Sequence, residues 1–163
     1  MGNYPQVALF GSVQGGWRET HIIPVLDALK VSYFDPTAFA GDWTKERGDY
    51  EAEVMARCET IVMVLNRTSL AFSGLAETGW AALGAVERGQ HFILQIDLET
   101  DYELPDSLRD LNTAQDLRRQ MRHYTTASRH LVFKHAQEFR LDRLHLVDDL
   151  AGVAAALREI YLQ

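Results

Sequence analysis

Thr60-Ile61-Val62-Met63-Val64-Leu65, running on through Asn66-Arg67-Thr68-Ser69 to Ser73-Gly74-Leu75-Ala76-Glu77, is the stretch that decides the fold. After Thr60 the next five residues are apolar without interruption, the pattern of a strand covered on both faces, as in a parallel sheet under helices. A helix is predicted from near Leu75 through Ala76, Gly79, Ala81, Ala82 and Ala85, small residues that let it lie close to that sheet. Working outward, the same alternation repeats. A strand over about residues 6–10 ends in Gly11-Ser12-Val13-Gln14-Gly15-Gly16, and the next helix carries Ile22, Ile23, Leu26 and Leu29 on one face. A short strand at about 31–34 closes at Asp35-Pro36. It is followed by a loop holding Trp43 and a charged helix at about 50–58. Further strands are expected at 92–96 and 144–147, the last followed by a helix over 150–161 that Asp148 or Asp149 would cap.

One segment departs from this rhythm. Residues 105–139 read as helix, with Leu108, Leu111, Leu117, Met121, Tyr124, Leu131 and Phe139 near one face. It is either an enlarged crossover or an extension used for a subunit contact or a lid. Without repeats or linkers, the whole chain, 1–163, reads as one α/β domain with a five-stranded parallel sheet and a helical insertion at about 105–140.

Composition limits the partners. The 163 residues are 47% hydrophobic and 24% charged, as in an ordinary globular domain. A net charge of −7, from 16 basic and 23 acidic side chains, argues against a nucleic acid polymer. The single cysteine, Cys58, fits a reducing compartment and has no activating neighbour in the sequence. No apolar run approaches the roughly 20 residues that span a bilayer. We expect no membrane partner, no targeting segment and a cytoplasmic location.

In open parallel sheets ligands bind beyond the carboxyl ends of the strands. Residues 11–16, 35–43, 66–77 and the stretch after Ile96 should meet there. Glycines in the first turn would let backbone N–H groups approach an anion, although the turn matches neither the dinucleotide fingerprint nor the P-loop. Glu77 stands just inside a helix start, where a carboxylate is favoured by the helix dipole alone. Its small neighbours Ser73, Gly74, Ala76 and Gly79 leave room for a second role, attack on an anomeric carbon. Trp17 and Trp43 could stack on a base or simply pack. His123, His130 and His135 lack the spacing of a metal pair and read as surface residues. Neither a metal nor a cofactor is expected.

The ordered pieces Leu9-Phe10-Gly11-Ser12, Trp17-Arg18-Glu19, Ile23-Pro24-Val25-Leu26, Tyr33-Phe34-Asp35-Pro36, Asp42-Trp43-Thr44 and Ser73-Gly74-Leu75-Ala76-Glu77-Thr78-Gly79 resemble the nucleoside 2-deoxyribosyltransferase superfamily. The likeness is strongest to its divergent 2-deoxyribosyltransferase-like branch. The turn 11–16 with Arg18-Glu19 is also similar to that of the 2′-deoxynucleoside 5′-phosphate N-hydrolases. The resemblance implies a flavodoxin-like, Rossmann-like three-layer sandwich and a double displacement on a nucleoside or nucleotide. Glu77 would attack C1′, the base would leave, and a second base or water would take the sugar. Gly11, Ser12, Gln14, Gly15, Gly16 and Arg18 would hold the sugar 5′ end or its phosphate. Asp35, Asp42, Trp43, Asn66, Ser69, Ser73 and Gly74 would complete the binding site. The resemblance also implies a homodimer or higher homo-oligomer.

Two positions depart from that pattern. Asn66 stands where the transferases carry an aspartate that protonates the departing base, and an amide supplies no proton. Asp35 or Asp42 could substitute. Gln14 replaces the arginine of the nucleotide hydrolases. Two rival readings stay open: a TIR-like NAD glycohydrolase, and a nucleotide-sensing module that kept the pocket and lost turnover.

Overall fold

β3 (Thr60–Leu65) is buried at all six positions and lies at the middle of the sheet. Around it run β1 (Val7–Gly11), β2 (Tyr33–Phe34), β4 (His91–Ile96) and β5 (Leu144–Val147). The order is β2-β1-β3-β4-β5 and every neighbouring pair is parallel. This computed structural model describes residues 4–39, 44–102, 114–138 and 141–162. The architecture is a three-layer α/β fold with the flavodoxin-like strand order.

The layers follow from where apolar residues fall. On one face α1 (Ile23–Leu29) and α5 (Leu150–Tyr161) cover Val7, Leu9, Val62, Val64 and Ile93 through Leu26, Val153 and Leu157. On the other lie α2 (Lys45–Arg57), α3 (Phe72–Glu87) and α4 (Ala114–Glu138), with Val54, Ala81, Ala85 and Phe133 packed on Ala8, Ile61, Met63 and Phe92. Each fully buried Ile, Leu or Val here contributes about 1.5–3 kcal/mol by leaving water. α5 is capped by Asp149, whose carboxylate accepts the Gly152 N–H at 2.8 Å. α2 begins earlier than its charge pattern suggested, at Lys45, because the Thr44 hydroxyl caps it by accepting the Arg47 N–H at 3.3 Å.

The helical insertion takes an unexpected attitude. Its described part is one helix of 25 residues, about 38 Å long. Leu117, Tyr124 and Leu131, spaced by seven, do share a face, but that face is turned outward. The inward face carries Thr125, Arg129, Val132, Phe133 and Ala136. Leu108, Leu111 and Phe139 lie outside the described residues. Among the described residues no helix is long and apolar enough to cross a membrane.

Candidate functional site

The loop after β1 is built from Gly11, whose φ of 109° only glycine adopts freely. A Cβ there would sit 2.1 Å from the Val64 carbonyl oxygen, so β1 and β3 could not approach as they do. Ser12 follows, with its N–H donating to Val64 O at 2.7 Å and its Oγ accepting the Asn66 N–H at 3.0 Å. Only 1% of Ser12 is exposed, and its hydroxyl braces two loops instead of facing the cavity. Trp17 Nε1 donates to Ser12 O at 2.7 Å and the ring is buried, so Trp17 packs and offers no face to a base.

Arg18 is a strut under the same turn. Its Nη1 donates to Ser12 O at 2.8 Å, and its Nε and Nη2 donate to Leu9 O at 3.2 and 3.0 Å. Nε also lies 3.3 Å from Asp35 Oδ1. Burial pushes the guanidinium down to about 10, opposed by Asp35, so it stays charged at neutral pH. Asp35 Oδ1 additionally accepts the Thr37 N–H and hydroxyl, at 2.8 and 2.7 Å. Asp35 therefore belongs to the frame of the site.

The loop after β3 is held as firmly. Asn66 Nδ2 donates to Gln14 O at 2.7 Å, and its Oδ1 accepts the Thr68 hydroxyl at 2.9 Å. Its side chain lines a second cavity, on the α1 and α5 face, with His21, Gln95, Asp97 and Arg158. Ser69 Oγ accepts the Ala71 N–H at 3.0 Å, where Ala71 takes a left-handed φ of 53° and starts α3 without a side-chain cap. Nothing in the sequence pointed to Arg129 of α4. Fully buried, it donates from Nη1 to Leu65 O and Asp97 O at 2.6 and 2.7 Å, and from Nη2 to Asn66 O and Ser69 O at 2.9 and 2.6 Å.

These frames shape a cavity of about 430 Å³ over the carboxyl ends of β1 and β3, where the strand order switches. Phe10, Gly11 and Gly74 belong to its wall, with Pro36, Thr37 and Phe39 from the segment after β2. α3 contributes Ser73 and Glu77, and Val13 and Arg18 come from the first turn. Gly74 is required for the fit, since a Cβ there would lie 2.7 Å from Leu65 Cδ2 and 3.3 Å from Gly11 Cα. Of the expected site residues, Gly11, Arg18, Ser73, Gly74 and Glu77 meet here. Ser12, Gln14, Asn66 and Ser69 instead brace the surrounding loops through the bonds above. Gly15 and Gly16 are exposed on the turn with positive φ and are not part of this wall. Asp42 and Trp43 lie outside the described residues.

The cavity also contains Arg47 and Glu51 from α2, which the sequence reading passed over. A signal was present: Glu51 stands three residues before Val54, the buried residue of α2, so it shares the inward face. Glu77 keeps one side open to solvent, yet burial against the cavity wall raises its carboxyl above its ordinary value, and the negative charge of Glu51 raises it further. Burial raises Glu51 too, with Arg47 opposing. The site is thus two carboxyls held more basic than usual, with two guanidiniums beside them. Such a group can attack an electrophilic carbon or move a proton.

No family model matches the chain, and no curated protein matches it. Among solved structures it is similar to a conserved protein from Enterococcus faecalis V583, at 11% identity and a TM-score of 0.49 over 97% of this chain and 99% of the other. A likeness of that degree says nothing of substrate or reaction.

Elsewhere, burial pushes the Cys58 thiol up to about 11, which keeps it unreactive. His123, His130 and His135 are exposed on α4, and among the described residues no group of three His, Cys, Asp or Glu is arranged to hold a metal.

Proposed function

We propose that this protein cleaves or transfers the N-glycosidic bond of a deoxynucleoside or nucleotide, with Glu77 as the nucleophile. The observation that carries the proposal is Glu77 in the wall of a cavity of about 430 Å³ at the switch point of the sheet. Its volume lies within the roughly 300–1,000 Å³ usual for small-molecule sites. The transition state at C1′ is cation-like, so a carboxylate beside it stabilises charge as it develops and then captures the carbon. A water molecule or a second base completes the displacement and frees Glu77.

The test is incubation with deoxynucleosides, deoxynucleotides and NAD, followed by chromatography. Free or exchanged base is the expected product, and Glu77→Ala should lower its rate by at least about 10³-fold. Nicotinamide as the sole product would favour the NAD glycohydrolase reading. Ligand binding without any product would favour the sensing module, in whose favour stand Ser12 and Asn66, both committed to bracing loops.

We also infer a homo-oligomer. Phe72, Trp80 and Leu83 on α3, and Tyr124 and Leu131 on α4, are large apolar side chains that are each more than half exposed. α3 and α4 pack together, so these residues form neighbouring apolar stripes. Phe72 adjoins the cavity residue Ser73, which would bring a second copy to the flank of the site.

A further inference from the structure

We propose that Glu51 is the acid that protonates the departing base while Glu77 attacks from the same cavity. This rests on the glycosidic reading and supplies the part that Asn66 cannot. An N-linked base leaves poorly as an anion, so a proton must reach one of its ring atoms as the C1′–N bond breaks. A donor has to share a cavity with the nucleophile, be able to hold a proton, and be free of competing structural duty.

The candidates separate on those requirements. Asn66 has no acidic proton, and its side chain lies in the other cavity. Asp35 shares one oxygen among Arg18 and both donors of Thr37, which commits it to the frame of the site. Glu51 lines the cavity of Glu77 and comes from a different element, α2, so the two carboxyls approach the space from separate walls. Among the described residues the charged groups of that cavity are Arg18, Arg47, Glu51 and Glu77. Burial raises both carboxyls above their ordinary value, with Arg47 opposing at Glu51 and the charge of Glu51 adding at Glu77, so each holds a proton more readily than a free glutamate. The reaction needs one carboxylate to attack and one carboxylic acid to donate, and these two carboxyls share the cavity.

The step balances. The Glu77 oxygen forms a bond to C1′ as the C1′–N pair moves onto the base, and that base takes the Glu51 proton. In the second half Glu51, now a carboxylate, removes a proton from water or from an incoming base. That nucleophile then bonds to C1′ and releases Glu77.

The experiment compares a neutral leaving group with one that needs no proton, using 2′-deoxyadenosine and 7-methyl-2′-deoxyguanosine, whose base already carries positive charge. With Glu51→Gln, kcat for the first should fall by about 10²–10³-fold, KM staying within about threefold. For the second it should stay within about tenfold of the parent. Glu77→Gln should lose both. Glu51→Asp, which keeps the acid, should recover part of the activity, and circular dichroism should match the parent for all three variants. Equal losses on both substrates, or none on either, would overturn the assignment of Glu51. If the parent protein releases base from neither substrate, the glycosidic reading falls, and the acid with it.

Discussion

Replacing Arg129 by methionine keeps most of the apolar stem and removes the guanidinium that joins α4 to the carboxyl ends of β3 and β4. Four carbonyl oxygens, those of Leu65, Asn66, Ser69 and Asp97, lose their donor. A hydrogen bond from a charged group contributes about 1.5–3 kcal/mol. The sum is not recovered in full, because burial of the cation opposes it and Nε has no partner. Loss of one member of a buried charged set costs about 3–5 kcal/mol, and we take that as the magnitude. In chains of 150–250 residues 1 kcal/mol moves Tm by about 2–4 °C, so Tm should fall by about 6–20 °C. Arg129→Lys should recover less than roughly half of the loss, since an ammonium cannot span four acceptors in a fork. Thermal melts followed by circular dichroism measure both. A melting point for Arg129→Met within about 2 °C of the parent would refute the reasoning.

Other outcomes follow from the same structure. His91 Nδ1 lies 3.0 Å from His145 Nε2, a hydrogen bond that requires one of the two nitrogens to be without a proton. Burial holds both imidazoles below their ordinary value of 6.5, with the charges of His145 and Arg143 adding to the effect on His91 and Glu159 opposing it at His145. The unfolded chain therefore binds protons first, so stability should be full above about pH 6.5 and fall as pH drops below it, more steeply than in His145→Gln. Melts at a series of pH values measure this. Glu77 must be ionised to attack and Glu51 protonated to donate, so Glu51→Gln should abolish the alkaline limb of the residual kcat profile and leave the acid limb in place. Trp80, 85% exposed, should be central to self-association. Trp80→Glu should shift sedimentation from oligomer to monomer with secondary structure unchanged.

The parts of this fold legible in the sequence are those where burial is two-sided. β3 could be read residue by residue because a central parallel strand tolerates no polar interruption, and β5 with α5 was bounded by Asp149. β2 is shorter than the predicted run, because the Val31 N–H bonds back to Leu26 O and only Tyr33 and Phe34 stand in register with β1. α4 misled for a different reason. Its inward face meets strand-end carbonyls, which call for a donor such as Arg129, and its apolar heptad was left for solvent or another chain.

In the candidate cavity, Glu77, Ser73, Gly74 and Gly11 lie together where a carboxylate among small residues at a strand end draws attention in the sequence. Ser12, Asn66 and Ser69 were expected to meet a ligand, yet their polar atoms close turns. A loop that must satisfy its own backbone and a loop that binds a ligand use the same residue types. Glu51 was missed because a glutamate on a charged helix looks like surface until Val54 shows which face turns inward.

The account stands or falls on a covalent bond from Glu77 to the sugar. The most direct measurement is rapid acid quenching of the protein during turnover of a 2′-deoxynucleoside, followed by mass spectrometry of the intact chain and its peptides. The account predicts a deoxyribosyl group on the peptide that contains Glu77, formed as the base is released and absent from Glu77→Ala. Base released by Glu77→Ala at the parent rate, with no sugar on that peptide in either protein, would contradict it.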